Sequence, residues 1–194
     1  MIRTLQRKVR KSRGFTLVEL MIVVAIVGIL AALAIYGVRK YMANAKTAEA
    51  KNSIGQMAKD ASAAFNREKM AAAIIAAGSS TGVANTLCGG ATTTIPSAAS
   101  KIKGSKYQST QAEWDGQNQY AGWQCLKFSM AEPQYYMYSY TAASSAGAEG
   151  DTFTAKAQGD LDGDTNLSSF SIEGVIRSAA IVIAPTIAET NPEE

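Results

Sequence analysis

The apolar and polar positions of this chain change their period twice, and each change marks a different element. Residues 14–36, GFTLVELMIVVAIVGILAALAIY, are almost continuously apolar, and Glu19 is the only ionisable side chain between Arg13 and Arg39 apart from Tyr36. A helix over residues 15–36 rises about 33 Å at roughly 1.5 Å per residue, which matches a bilayer core of about 30 Å. A lone carboxylate in that setting costs on the order of 3 kcal/mol on insertion scales, so Glu19 requires a partner. From residue 37 the helical signal continues, with no proline before Pro96 and with Val38, Tyr41, Met42, Ala45, Ala48, Ile54, Met57, Ala58, Ala61, Ala64 and Phe65 recurring at helical spacing against Lys46, Lys51, Lys59, Asp60 and Arg67. Gly78-Ser79-Ser80 reads as the stop. The pattern therefore predicts one long helix over 15–77, membrane-spanning at 15–36 and amphipathic at 37–77.

Residues 78–109 are rich in Gly, Ser, Thr and Ala and read as a long surface connection carrying Lys101, Lys103 and Lys106. Those lysines are expected on a solvated face; the alternative is contact with a neighbouring subunit, an anionic surface or DNA. After Tyr120 the period becomes two. Leu126, Phe128 and Met130 alternate with Lys127 and Ser129, and after Glu132-Pro133 comes Tyr135-Tyr136-Met137-Tyr138-Ser139-Tyr140, which together predict a hairpin. Residues 152–157, 169–176 and 179–183 are further strand candidates. The predicted class is α+β: a long N-terminal helix packed against a small antiparallel sheet, with the head over 78–194.

Charge changes the picture at the N-terminus. Residues 1–14 hold six basic side chains and no acid; without them, 13 of the 19 Lys and Arg remain against 16 Asp and Glu. The overall excess of +3 thus belongs to the leader and gives no support for nucleic-acid binding. Six positive charges before an apolar segment hold that end in the cytoplasm and put everything after Tyr36 outside. An ordinary secretory signal has its cleavage site after a shorter apolar region, whereas here the small residue Gly14 precedes it, so the apolar segment is expected to stay on the mature chain.

Gly14-Phe15-Thr16-Leu17-Val18-Glu19 followed by an unbroken apolar helix resembles the processing signature of type IV pilins. The resemblance covers roughly residues 13–67 and implies the pilin fold. It implies that a prepilin peptidase removes residues 1–14 and N-methylates Phe15. It also implies that Glu19 pairs with the Phe15 amine of a neighbouring subunit during assembly, which sets the stagger between subunits. Many pilins have proline where this chain has Tyr36. Gly28 and Gly37 are its weak points instead, serving either close helix packing or local unwinding.

Export by that route leads to an oxidising compartment, where Cys88 and Cys125, the only cysteines, are expected to form a disulfide; two buried free thiols are the alternative. Zinc is disfavoured because the chain has no histidine. Asp160-Leu161-Asp162-Gly163-Asp164-Thr165-Asn166 concentrates hard oxygen ligands suited to Ca²⁺, and counting from Asp162 brings Glu173 to position 12 of an EF-hand-like loop. Leu167 then occupies position 6, where such a loop needs glycine, so two readings stay open: an acidic calcium loop of another shape, similar to loops in some pilins and pseudopilins, and a solvated Asp-Gly turn. No cofactor is required. None of the familiar acid-base or nucleophile-base constellations can be assembled, so the chain is not read as an enzyme.

The function implied is structural: a subunit that polymerises with itself into a helical type IV pilus supporting twitching motility, surface adhesion and DNA uptake. Its partners would be prepilin peptidase, the assembly machinery, the inner membrane before assembly, and surfaces or polysaccharide afterwards. Its location would be the inner membrane as precursor and the extracellular filament afterwards. The alternative is a pseudopilin of a type II secretion system.

Overall fold

The structure, a computed structural model, describes residues 14–67, 69–70, 76–80 and 83–192. The predicted leader therefore lies outside the described residues, except for Gly14. The chain falls into two compact units, Met1–Tyr41 and Met42–Glu194.

Helix α1 runs Leu17–Phe65 without interruption through Gly28 and Gly37. In the first unit its apolar side chains all face outward, and it is long and apolar enough to cross a membrane. In the second unit its buried face is Thr47, Ala50, Ile54, Met57, Ala58, Ala61, Ala64 and Phe65. Val38, Tyr41 and Met42, expected on the same apolar stripe, are exposed.

The helix ends at Phe65, short of the predicted limit at residue 77. Two local interactions redirect the chain there. The Arg67 guanidinium donates from Nη2 to the Cys125 carbonyl at 2.6 Å. Strand β1 (Lys69–Met70) then pairs antiparallel with β2 (Val83–Ala84). Residues 71–75, the middle of the predicted final turns, lie outside the described residues. Gly78 is in a turn at φ 85°, a conformation glycine adopts without penalty.

The expected hairpin over residues 126–140 does not form. Gly122–Leu126 is a short helix (α3), preceded by another at Gln111–Trp114 (α2), and Lys127 closes α3 in the left-handed conformation at φ 62°. The alternation at Leu126 and Phe128 reflects burial around this bend: Trp114, Trp123 and Phe128 interlock, with Trp114 packed edge-on to both partners at centroid distances of 5.1 and 5.5 Å.

The sheet comprises β3 (Met137–Ala142), β4 (Thr152–Gly159), β5 (Ser168–Arg177), β6 (Ala180–Ile183) and β7 (Ala188–Thr190), every pairing antiparallel. Its order is β3-β4-β5-β6, with β7 beside β6 on the same edge of β5. Period two puts Tyr138, Tyr140, Phe153, Ala155, Ala157, Phe170 and Ile172 on the inner face, in one apolar cluster with the buried side chains of α1. Tyr136 joins them, so three of the four clustered tyrosines are fully buried and only Tyr135 is partly exposed. The protein is thus α+β, a long helix against a five-stranded antiparallel sheet.

Candidate functional site

The first region is the start of α1. Thr16 acts as its cap: its backbone N–H and its hydroxyl donate to Glu19 Oε2 at 2.9 and 2.8 Å, and the Glu19 N–H donates back to the Thr16 hydroxyl at 3.2 Å. This reciprocal arrangement satisfies helix donors that would otherwise lack partners. The carboxylate that the sequence leaves partnerless is therefore held within its own subunit, and none of these bonds uses Oε1. Gly14 and Phe15 precede the helix without regular secondary structure and are exposed, Phe15 by 83%. A side chain added at Gly14 would meet nothing within 4 Å, so the fold itself does not demand glycine there.

The second region joins α1 to the sheet in the second unit. Glu49 accepts the Tyr135 N–H at 2.9 Å and the Tyr138 hydroxyl at 3.1 Å. Burial raises its pKa above the ordinary carboxylate value, against the lowering effect of those bonds and of nearby Lys106. Lys46 and Lys106 each stand 4.7 Å from the Tyr135 ring centroid. Lys51 bonds Glu189 at 2.8 Å and so ties β7 to the helix. The lysine run seen in the sequence is consequently divided among separate neighbours. Lys101 lies over the Tyr107 ring, Lys103 is exposed, and Lys106 faces Glu49 and Tyr135. Glu49 was not singled out from the sequence, and Arg67 was placed only on the polar face of the helix. An acid one residue from the buried Ala50 was the available signal for Glu49; Arg67 had none, because its partner is 58 residues away.

Cys88 and Cys125 are joined in a disulfide, Cα atoms 5.8 Å apart, across 37 positions. Both cysteines are buried. The bridge fixes α3 to the connection that leads into it, beside the carbonyl held by Arg67.

The acidic loop links β4 to β5. Asp160 is buried, and its two oxygens accept the N–H groups of Gly163 at 2.7 Å and Thr165 at 3.0 Å. Asp162 accepts from the Asp164 N–H at 3.1 Å, and Asp164 accepts both the N–H and the side-chain amide of Asn166 at 2.7 and 2.6 Å. Ligand oxygens of Asp160, Asp162 and Asp164 lie within 4.8 Å of one another. Glu173, placed with them by sequence spacing, is not part of this group. It sits exposed in β5 opposite Thr154, five residues past the loop-closing pair Gly159 and Ser168. An extended strand carries it roughly 17 Å away at about 3.3 Å per residue.

The first unit presents an exposed apolar helix, and the second is stapled by one disulfide. Residues 9–35 match the family of the prokaryotic N-terminal methylation motif. The N-terminal segment of the chain is similar to that of type IV pilins. It is 59% identical over 44 residues to the type IV major pilin protein PilA of Myxococcus xanthus (strain DK1622), covering 23% of this chain and 20% of that protein. It is 53% identical over 45 residues to the type IV major fimbrial protein FimA of Dichelobacter nodosus, covering 23% and 29%. The fimbrial protein of Moraxella nonliquefaciens is 58% identical over 38 residues, covering 20% and 25%. The matched stretch thus spans less than a third of these relatives' own length. No solved structure matches the chain.

Proposed function

We propose that the chain is the precursor of a type IV pilus subunit, a structural protein rather than an enzyme. The observation that supports this is the outward-facing apolar part of α1, residues 17–38, whose single carboxylate, Glu19, lies four residues after Phe15 within the stretch that matches the methylation motif. Prepilin peptidase cuts the exposed Gly14–Phe15 bond and methylates Phe15. The new ammonium at Phe15 of one subunit meets the Glu19 carboxylate of another, whose Oε1 is not used by the bonds to Thr16. Apolar helices then exchange lipid for one another in a filament core. The precursor resides in the inner membrane and the product is an extracellular fibre serving twitching motility, adhesion to surfaces or polysaccharide, and DNA uptake. The pilin and fimbrial names of the relatives favour this over the secretion pseudopilus. Fibres sheared from the cell surface should contain this chain as the main component and disappear in a deletion strain. Intact fibres in the deletion strain, or retained secreted enzymes with no fibres lost, would replace the pilus with the secretion reading.

A further inference from the structure

The β4–β5 loop holds a motif that assembly does not use. Asn166-Leu167-Ser168 is the one Asn-x-Ser/Thr triplet in the 194 residues, and Asp164 two positions upstream extends it to Asp-x-Asn-x-Ser. We propose that Asn166 is an N-glycosylation site that receives an oligosaccharide from a lipid diphosphate donor; the proposal rests on the export reading above, which brings the head to the compartment where such donors face. In the transfer the Asn166 amide nitrogen bonds to the anomeric carbon of the sugar and the bond from that carbon to the diphosphate breaks. The lipid diphosphate leaves with the electron pair, and one amide proton passes to a carboxylate base of the transferase.

Three features of the loop fit this chemistry. The Asn166 side chain is exposed at a connection between strands, where a bulky polar group finds solvent. Its Nδ2 donates one hydrogen to Asp164 Oδ2, so the second can be replaced by the sugar while that bond persists. Ser168 sets the timing. Its hydroxyl is fully buried and donates to the Gly159 carbonyl at 3.0 Å, in the residue pair that closes the β4–β5 ladder. A transferase that reads the triplet's hydroxyl must do so before this ladder closes, on the newly exported chain. Folding then seals Ser168 and leaves the glycan outside.

The test is peptide mass spectrometry of the chain isolated from its own cells. Trypsin cuts after Lys156 and Arg177, so residues 157–177 are released as one peptide containing no other asparagine. This peptide should carry added sugar mass in the wild type, lose it in Asn166→Gln, and lose it in Ser168→Ala. Asn166 is exposed, so its replacement leaves the fold intact, and a normal wild-type unfolding midpoint in that variant checks this. An unmodified peptide in chains that begin at Phe15 overturns the glycosylation site while leaving export standing. Chains that still carry residues 1–14 overturn the export reading and the site with it.

Discussion

Replacing Glu49 with alanine tests how the helix is fastened to the sheet. The substitution leaves the buried Tyr138 hydroxyl without its carboxylate and the Tyr135 N–H without its acceptor. Losing a buried hydrogen-bond partner costs about 1–3 kcal/mol, with Ser53 left as a partner of the Tyr138 hydroxyl, and the Tyr135 amide, on a half-buried residue, adds less because water can reach it. Against this stands relief of the desolvation that raises the Glu49 pKa. The net expectation is a loss of about 1–2 kcal/mol, or roughly 2–8 °C in Tm for a unit of this size. Glu49→Gln keeps an acceptor and removes the charge, so it should cost less than about 1 kcal/mol at neutral pH. The pH dependence separates the two effects. A raised carboxylate pKa means that the folded state holds the proton more tightly than the unfolded one. The contribution is therefore fully present below the ordinary value and is lost as pH rises through the raised one. Glu49→Gln should flatten the decline in stability as pH rises above the ordinary carboxylate value, leaving the part due to Asp60, whose pKa burial also raises. Trp114 and Trp123, both buried in the head, report unfolding by fluorescence of the detergent-solubilised chain in urea. A glutamine variant with the wild-type pH slope, or an alanine variant of wild-type stability, would refute this role.

Three further outcomes follow from the same geometry. Cys88→Ser with Cys125→Ser, or reduction of the wild type, should lower head stability by roughly 4 kcal/mol on the loop-entropy account for cysteines 37 positions apart, read as a shift in urea midpoint; an unchanged midpoint would show that the bridge constrains nothing. Asp160→Ala should cost about 1–3 kcal/mol in the presence of a chelator, because two backbone N–H groups lose their acceptor; a loss seen only when calcium is supplied would mean that an ion, not those amides, holds the loop. Glu19→Ala should be processed at Phe15 yet fail to form fibres, as judged by N-terminal sequencing and electron microscopy; normal fibres would end the charge-pairing account, and normal processing of Gly14→Trp would displace the cleavage site.

Much of this architecture was readable from spacing because it rests on local periodicity. The apolar run gives the anchor directly, and period two over residues 152–183 gives the three strands that the structure places at β4, β5 and β6. What was missed depended on partners distant in sequence. Nothing near Phe65 announces a helix end, since Arg67 acts there through a carbonyl 58 residues on. Leu126, Phe128 and Met130 alternate as a strand would, yet α3 and the left-handed Lys127 organise them around two tryptophans. Glu173 fits a twelve-residue count only if the chain curls back, and β5 runs straight instead. Glu19 was legible as a charge needing a partner, but the sequence reading did not include Thr16 supplying one within the same chain.

The most direct measurement is the intact mass of the chain in sheared surface fibres, with and without reductant. The account predicts a protein beginning at N-methylated Phe15, with any glycan mass confined to residues 157–177, that gains two hydrogens on reduction as the Cys88–Cys125 bridge opens. Fibres built from a chain that retains residues 1–14, or that begins anywhere other than Phe15, would contradict it.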